Sequence, residues 1–379
     1  MRAAETTEPE PAQTTEPETA DTTEPAETTE PEPEPVILDF SEVDAVVSSF
    51  VEERGLNGAG LAVVDPAGVV HEQYWGEFDP DRISLVASSS KQLTAGVMLA
   101  LQDQGLLDVD APLNEIVGDA WGPGVPEITV AQMVSNSSGL VGLGPDPTYA
   151  PYLCQFIGED LQRCGRTIAT TPDDDADVVP SDTEFRYGGA QWQVAGAVAE
   201  YVSGKSWDEL IQEVYRDPCG LTSSFGYNNH WATLGAGGFG YPPDFDGDLS
   251  LLAPTSNPQM EGGAYLTVPD YAALLLMHLR DGACPNGQVL SSESLETMYT
   301  DRAAAVWGGD AGDAGIGYGY GWWHDRNTGR ISDAGAYGSI PWLDFDGEYG
   351  VYLVIEEDSG TGNELKNQIE ELIDDVMTA

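Results

Sequence analysis

Ser88 and Lys91 are the residues whose types and spacing point most directly to chemistry. They open the stretch Ser88-Ser89-Ser90-Lys91-Gln92-Leu93-Thr94-Ala95-Gly96-Val97-Met98-Leu99-Ala100-Leu101. Serines ahead of a long run of good helix formers predict a helix start. A three-residue spacing puts Ser88 and Lys91 on one helical face, a turn apart. A serine hydroxyl is a weak nucleophile until a base takes its proton. A lysine amine can be that base if burial strips its charge, because desolvation lowers a lysine pKa. Free N–H groups at the helix N-terminus are suited to a developing oxyanion. The pattern therefore offers a nucleophile, a base and half of an oxyanion hole. It would equally describe a serine-capped core helix, although the helix dipole disfavours a lysine in the first turn. The chain has only three lysines, Lys91, Lys205 and Lys366.

Elements at both ends of the chain must hold this stretch. A helix is predicted from about Ser41, with capping-box spacing at Ser41 and Asp44 and a stripe of Val43, Val46, Val47, Phe50 and Val51. Gly60–Val64 and Val69–Trp75 read as a hairpin around Asp65-Pro66-Ala67-Gly68. The Ser88 helix should end near Gly105. From about 112 to 260 the pattern is mainly helical with long loops. Short helices are expected at Thr129–Val134 and after the Ser206–Glu209 capping box, and longer ones at Ala190–Ser203 and Thr267–Arg280. The period then switches. Tyr318–His324, Arg330–Asp344 and Tyr349–Glu356 read as strands, the last two joined at Asp346-Gly347. Leu365, Ile369, Leu372, Ile373 and Val376 mark a final helix. The fold class is therefore α+β. One antiparallel sheet is built from both chain ends and flanked by helices, with a helical lobe inserted at about 112–260.

Composition narrows the partners. With 65 acidic against 14 basic residues the formal net charge is −51, which argues against nucleic acid and anionic membrane surfaces. Such a charge suits high salt, where self-repulsion is screened. Residues 1–36 are Thr-Thr-Glu-Pro repeats that cannot pack a core and read as an extended, disordered spacer, suited to tethering residues 37–379 at a cell envelope. Cys154, Cys164, Cys219 and Cys284 make an even count without C-x-x-C spacing, so they read as disulfides of an oxidising, extracellular compartment. Four cysteines allow three pairings, and sequence does not choose among them. No transmembrane stretch and no intact signal peptide is present. His71, His230, His278 and His324 are dispersed, so no metal site and no cofactor is expected, and a Ser-His-Asp triad is not favoured. Gly-x-Ser-x-Gly is absent. Asp244–Asp248 lacks full calcium-loop spacing and reads as a solvated acidic loop. Trp192, Trp307, Trp322 and Trp323 are candidates for a substrate cleft or for the core.

From roughly residue 40 to 379 the chain resembles the serine β-lactamase, penicillin-binding protein and β-lactamase-like esterase superfamily. Ser88-x-x-Lys91 carries the first motif. The segment Ile128–Leu140 is similar to the stretch after the first lobe boundary. Phe185-Arg186-Tyr187-Gly188-Gly189 stands in the place of Tyr-x-Asn. Asp217-Pro218-Cys219-Gly220-Leu221, Gly262-Gly263 ahead of Thr267–Asp270, and Tyr318–Trp322 also fit. The resemblance implies a β-lactamase/transpeptidase-like fold. It implies a Ser88 nucleophile, Tyr187 as base through a proton shared with Lys91, and an oxyanion hole from the N–H groups of Ser88 and Ala336, with Gly335 allowing close approach. Two positions depart from the pattern. Gly189 replaces an amide that helps to hold substrate. Asp333-Ala334-Gly335 aligns with Lys-Thr-Gly or His-x-Gly, so Asp333, expected as a solvated strand residue, replaces a cation. These substrate-binding positions favour a secreted esterase or amidase acting on a small ester, amide or peptide. A D-Ala-D-Ala carboxypeptidase or β-lactamase, and a non-catalytic envelope binding protein of the same fold, stay open.

Overall fold

A computed structural model of the chain describes residues 38–142, 150–156, 160–171, 178–231, 240–303 and 315–379. The repeat tail at 1–36 and Trp307 lie outside them. The described residues build a seven-stranded antiparallel sheet. Its strands are β1 (Gly58–Asp65), β2 (Gly68–Gly76), β8 (Ile316–Tyr318), β9 (Trp323–Asp325), β10 (Ile331–Ser332), β11 (Ser339–Asp344) and β12 (Tyr349–Val354), in the order β2-β1-β12-β11-β10-β9-β8. The N-terminal hairpin docks on the C-terminal strands through β1 and β12, with Leu61 opposite Leu353. Between these halves in sequence, β3 (Ser84–Leu85), β4 (Gly226–Tyr227) and β5 (Ala264–Leu266) form a small second sheet, with β5 central, and β6 (Ala283–Cys284) pairs with β7 (Gly287–Gln288). The sequence pattern gave no sign of β3–β5, which are too short to show a period. The α+β arrangement expected from the sequence is the one observed.

Helix α1 (Ser41–Arg54) packs Val43, Val47 and Phe50 on one face of the large sheet, beside the C-terminal helix Ser359–Met377, which contributes Leu365, Ile369 and Ile373. The expected Ser41/Asp44 capping box does not form. Asp39 accepts from Ser41 N–H at 3.0 Å instead, and Asp44 pairs with His71 at 2.8 Å. On the other side lies α2 (Lys91–Asp103), buried on every face from Lys91 to Leu101, as a helix threaded between layers must be. Helices α3 (Leu113–Val117), α4 (Val130–Val134), α5 (Leu161–Thr170), α6 (Gly189–Ser203), α7 (Trp207–Ile211) and α8 (Asp217–Cys219) make up the inserted lobe. Capping boxes at Thr129/Gln132, Ser206/Glu209 and Thr267/Asp270 start α4, α7 and the helix Val268–Leu279. Gly204 ends α6 in the left-handed region, at φ 69°. Disulfides join Cys154 to Cys164 and Cys219 to Cys284. No described helix is long and apolar enough to cross a membrane.

Two predicted strands break. Tyr318–His324 is interrupted by a turn in which Gly321 takes φ 81°, pressed against the backbone of Lys91 and Gln92. Arg330–Asp344 is interrupted at 333–338, where the N–H of Gly335 bonds the carbonyl of Ser339 at 2.7 Å. Both breaks fall where the chain meets the start of α2.

Candidate active site

The backbone bends sharply just ahead of Ser88. Ala87 sits in the left-handed region at φ 45°, a costly conformation for a residue with a Cβ, and Ala87–Ser90 form one turn of 3-10 helix leading into α2. Ser88 is half-buried, whereas Ser89 and Ser90 are fully buried. The buried serines do not cap the helix as the sequence suggested. Ser90 Oγ donates to the Ala87 carbonyl at 2.6 Å and accepts from Ala264 N–H at 2.9 Å, while Ser89 Oγ donates to the Asp333 carbonyl at 2.6 Å. They tie the Ser88 turn to β5 and to the 333–338 turn.

Lys91 is wholly buried. Its Nζ donates to Ser88 Oγ at 3.1 Å and to the Glu261 carbonyl at 3.0 Å, and Tyr187 is the electrostatic neighbour of both Lys91 and Ser88. An ammonium has three N–H donors, of which the Ser88 hydroxyl and the Glu261 carbonyl take two. Nζ lies 4.4 Å from the Tyr187 ring centroid and 5.9 Å from that of Trp192. Glu261 Oε2 approaches it to 3.5 Å. Burial pulls the Lys91 pKa down, but Tyr187, Glu261 and Asp333 outweigh it, and the net direction is up. The expectation that burial strips the lysine's charge therefore reverses, because burial placed acidic groups beside it. Burial also raises the Tyr187 pKa; Lys91 opposes this only in part.

Tyr187 is held from the Ser135–Gly139 loop. Asn136, left-handed at φ 57°, accepts from Gln191 Nε2 at 2.8 Å and Trp192 Nε1 at 3.1 Å, and its carbonyl accepts Arg186 N–H at 2.8 Å. The residue before Tyr187 and the first turn of α6 are thus fixed to one residue, the former through its backbone and the latter through its side chain. Phe185, Tyr318 and Trp323 form an aromatic wall beside Tyr187, with Trp323 5.4 Å from the Tyr187 ring. Trp192 and Trp322 are core residues.

Asp333 is not solvated. It is fully buried, and its Oδ2 accepts from Gln92 N–H at 3.2 Å, so a carboxyl from the sheet caps α2 from outside the helix. Burial raises its pKa well above the usual carboxylate range, against the pull of Lys91 and the helix N–H groups. Gly335 lies so close to the serine turn that a Cβ there would sit 2.1 Å from the Val86 carbonyl oxygen. The next residue, Ala336, packs in the same small apolar cluster as Ala87. At Gly189 a Cβ would meet Glu261 Oε1 at 1.9 Å. Glu261 is the site residue that sequence reasoning missed; its only signal was an acid directly before Gly262-Gly263. The geometry brings Ser88, Lys91, Tyr187 and Glu261 together, with Asp333 behind α2.

The beta-lactamase family model matches residues 43–373. Penicillin-binding protein 4 of Amycolatopsis lactamdurans is 27% identical over 293 residues, covering 71% of each chain. The lovastatin esterase of Penicillium rubens (strain ATCC 28089 / DSM 1075 / NRRL 1951 / Wisconsin 54-1255) is 26% identical over 214 residues, 48% of this chain and 52% of that enzyme. The octameric penicillin-binding protein homologue from Pyrococcus abyssi shares the fold at a TM-score of 0.65 and 21% identity, over 88% of this chain and 77% of that one. A sheet assembled from both chain ends, a buried helix opening on Ser-x-x-Lys and a family match across nearly all the described residues lead to one conclusion: the chain belongs to the beta-lactamase family of serine hydrolases.

Proposed function

We propose that the protein is a secreted carboxylesterase-type serine hydrolase that cleaves small esters, or amides, through an acyl-enzyme on Ser88. The observation that carries this reading is the wholly buried Lys91, whose Nζ is hydrogen-bonded to Ser88 Oγ at 3.1 Å and lies 4.4 Å from the Tyr187 ring centroid. In the form that has released one proton, Tyr187 is a phenolate stabilised by the Lys91 ammonium, and Ser88 Oγ attacks the carbonyl carbon as its proton passes to that phenolate oxygen. The oxyanion is received by the N–H groups of Ser88 and Ala336. The proton then goes to the leaving alcohol or amine, and water hydrolyses the acyl-serine.

Ester over β-lactam is favoured by Asp333, an acid where the family motif has a cation, and by Glu261, a second acid beside Lys91. Neither attracts a substrate carboxylate. The penicillin-binding protein among the relatives supports the second reading, a peptidase or β-lactamase. The two disulfides suit an oxidising compartment outside the cell. The test is turnover of p-nitrophenyl butyrate and nitrocefin at low and high salt by wild type and Ser88→Ala. The proposal expects ester turnover that is lost in the variant and exceeds nitrocefin turnover. Nitrocefin as the better substrate would favour the second reading. Inactivity on both would favour a binding protein.

A further inference from the structure

The acid next to Lys91 and the glycine where the family motif carries an amide occupy the same space. Glu261 reaches the site because α6 grips the segment before it. Gln193 Nε2 donates to Asn257 Oδ1 at 2.7 Å and to the Pro258 carbonyl at 2.9 Å, and Gln193 Oε1 accepts Met260 N–H at 3.2 Å. Thr94 of α2 donates to the Met260 carbonyl at 2.7 Å from the other side. So anchored, the Glu261 side chain lies over the first residue of α6. Oε1 stands 1.9 Å from where a Cβ at Gly189 would be, and Gln155 Oε1 stands 2.3 Å from it. Gln259 Nε2 lies 3.4 Å from Glu261 Oε1, which leaves Oε2 for Lys91, 3.5 Å away.

We propose that Glu261 is a positioning residue of the acyl-transfer site: its carboxylate takes the space that a side chain at position 189 would fill and is the counter-charge that holds Lys91 as an ammonium beside Ser88. The inference rests on the hydrolase reading above. Groups from every surrounding segment face Lys91. Ser88 is on its own turn, Tyr187 and the Trp192 ring come from the α6 side, Asp333 from the sheet and Glu261 from the β5 side. Asp333 is engaged with the helix N-terminus through Gln92, and Tyr187 is a phenol until it takes part in proton transfer. Glu261 is therefore the partner that supplies a standing negative charge. The absent amide at 189 and the acid at 261 are one exchange: Gly189 makes the room, and Glu261 uses it.

The scarcity of lysines makes this measurable. In full-length protein carrying [ε-13C]lysine, the Lys91 resonance is assigned by elimination with Lys205→Arg and Lys366→Arg, and its titration is followed by NMR. Removing an opposite charge at this distance is expected to lower the Lys91 midpoint by about one to three pH units in Glu261→Gln. Gly189→Ala retains the acid but pushes it away, and should shift the midpoint in the same direction. The pH profile of ester turnover should move to lower pH in parallel. Midpoints within about 0.3 unit of wild type in both variants would overturn the proposal, since this is well below the shift a nearby charge causes. Fluorophosphonate labelling of Ser88 in the same samples reports on the hydrolase reading separately. A lowered midpoint with no labelling of wild type would sink the hydrolase reading alone.

Discussion

At the scale of single residues, the site turns on where two protons reside. Burial alone would leave Lys91 neutral, yet its partners keep the ammonium, and Tyr187 keeps its phenolic proton. The resting site thus holds one proton too many to accept another from Ser88. In the proposed mechanism the reactive form is the one from which the coupled Lys91–Tyr187 pair has released a single proton. Both groups titrate above their ordinary values, so kcat/KM for an ester should rise with pH through the alkaline range rather than peak at neutrality. Tyr187→Phe removes the acceptor while leaving the ring against Trp323, 5.4 Å away. It should cost about 10²–10⁴-fold in kcat, the usual worth of a general base, with KM little changed. A pH–rate series on both proteins checks this, and loss of the alkaline rise in the variant is the expected signature.

At the scale of elements, what distinguishes this site is that α2 is capped from the sheet. The three serines ahead of it carry the sequence signature of a cap, but the hydroxyls of Ser89 and Ser90 tie this turn to the 333–338 turn and to β5, that of Ser88 meets Lys91, and Asp333 takes the capping place. This was not legible in the sequence, because Asp333 lies far along the chain within a run whose alternation reads as an unbroken strand. The helices announced themselves where the signal was local, as with Thr129/Gln132, Ser206/Glu209, and Gly204 after α6. The strand breaks at Gly321 and Gly335 depend on contacts with the 86–92 segment, which no local period records. Ser88, Lys91 and Tyr187 could be named through motif spacing, whereas Glu261 has no motif and gains meaning only from Gly189. The cap predicts a pH effect. A carboxyl whose folded pKa is raised binds its proton more tightly in the folded than in the unfolded state. Its contribution to stability therefore falls as pH climbs from the unfolded value toward the folded one. Asn at 333 keeps an acceptor for Gln92 without that penalty. The melting temperature of Asp333→Asn should accordingly gain on wild type as pH rises above the ordinary aspartate pKa of about 4; a gap that stays constant as pH rises from there would contradict the neutral-cap account.

For the whole molecule, two halves of a sheet from opposite chain ends must close around a lobe inserted between them. The Cys219–Cys284 bridge, with a sequence separation of 65, ties the end of that lobe to the chain beyond the helix Val268–Leu279. Closing a loop this long restricts the unfolded chain more than the ten-residue separation of Cys154–Cys164 does. Loop-entropy arithmetic gives about 4 kcal/mol for the long bridge and about 3 kcal/mol for the short one. Replacing Cys219 and Cys284 by serine should therefore lower the denaturation midpoint more than the same change at Cys154 and Cys164, as measured by chemical unfolding.

The central claim is that Ser88 is acylated. The most direct test is intact-mass and peptide-mapping analysis after exposure to a fluorophosphonate, with p-nitrophenyl butyrate turnover measured on the same samples. The account predicts a single adduct on the peptide containing Ser88 in wild type, and neither adduct nor turnover in Ser88→Ala. An adduct on another residue, or ester turnover that survives Ser88→Ala, would contradict it.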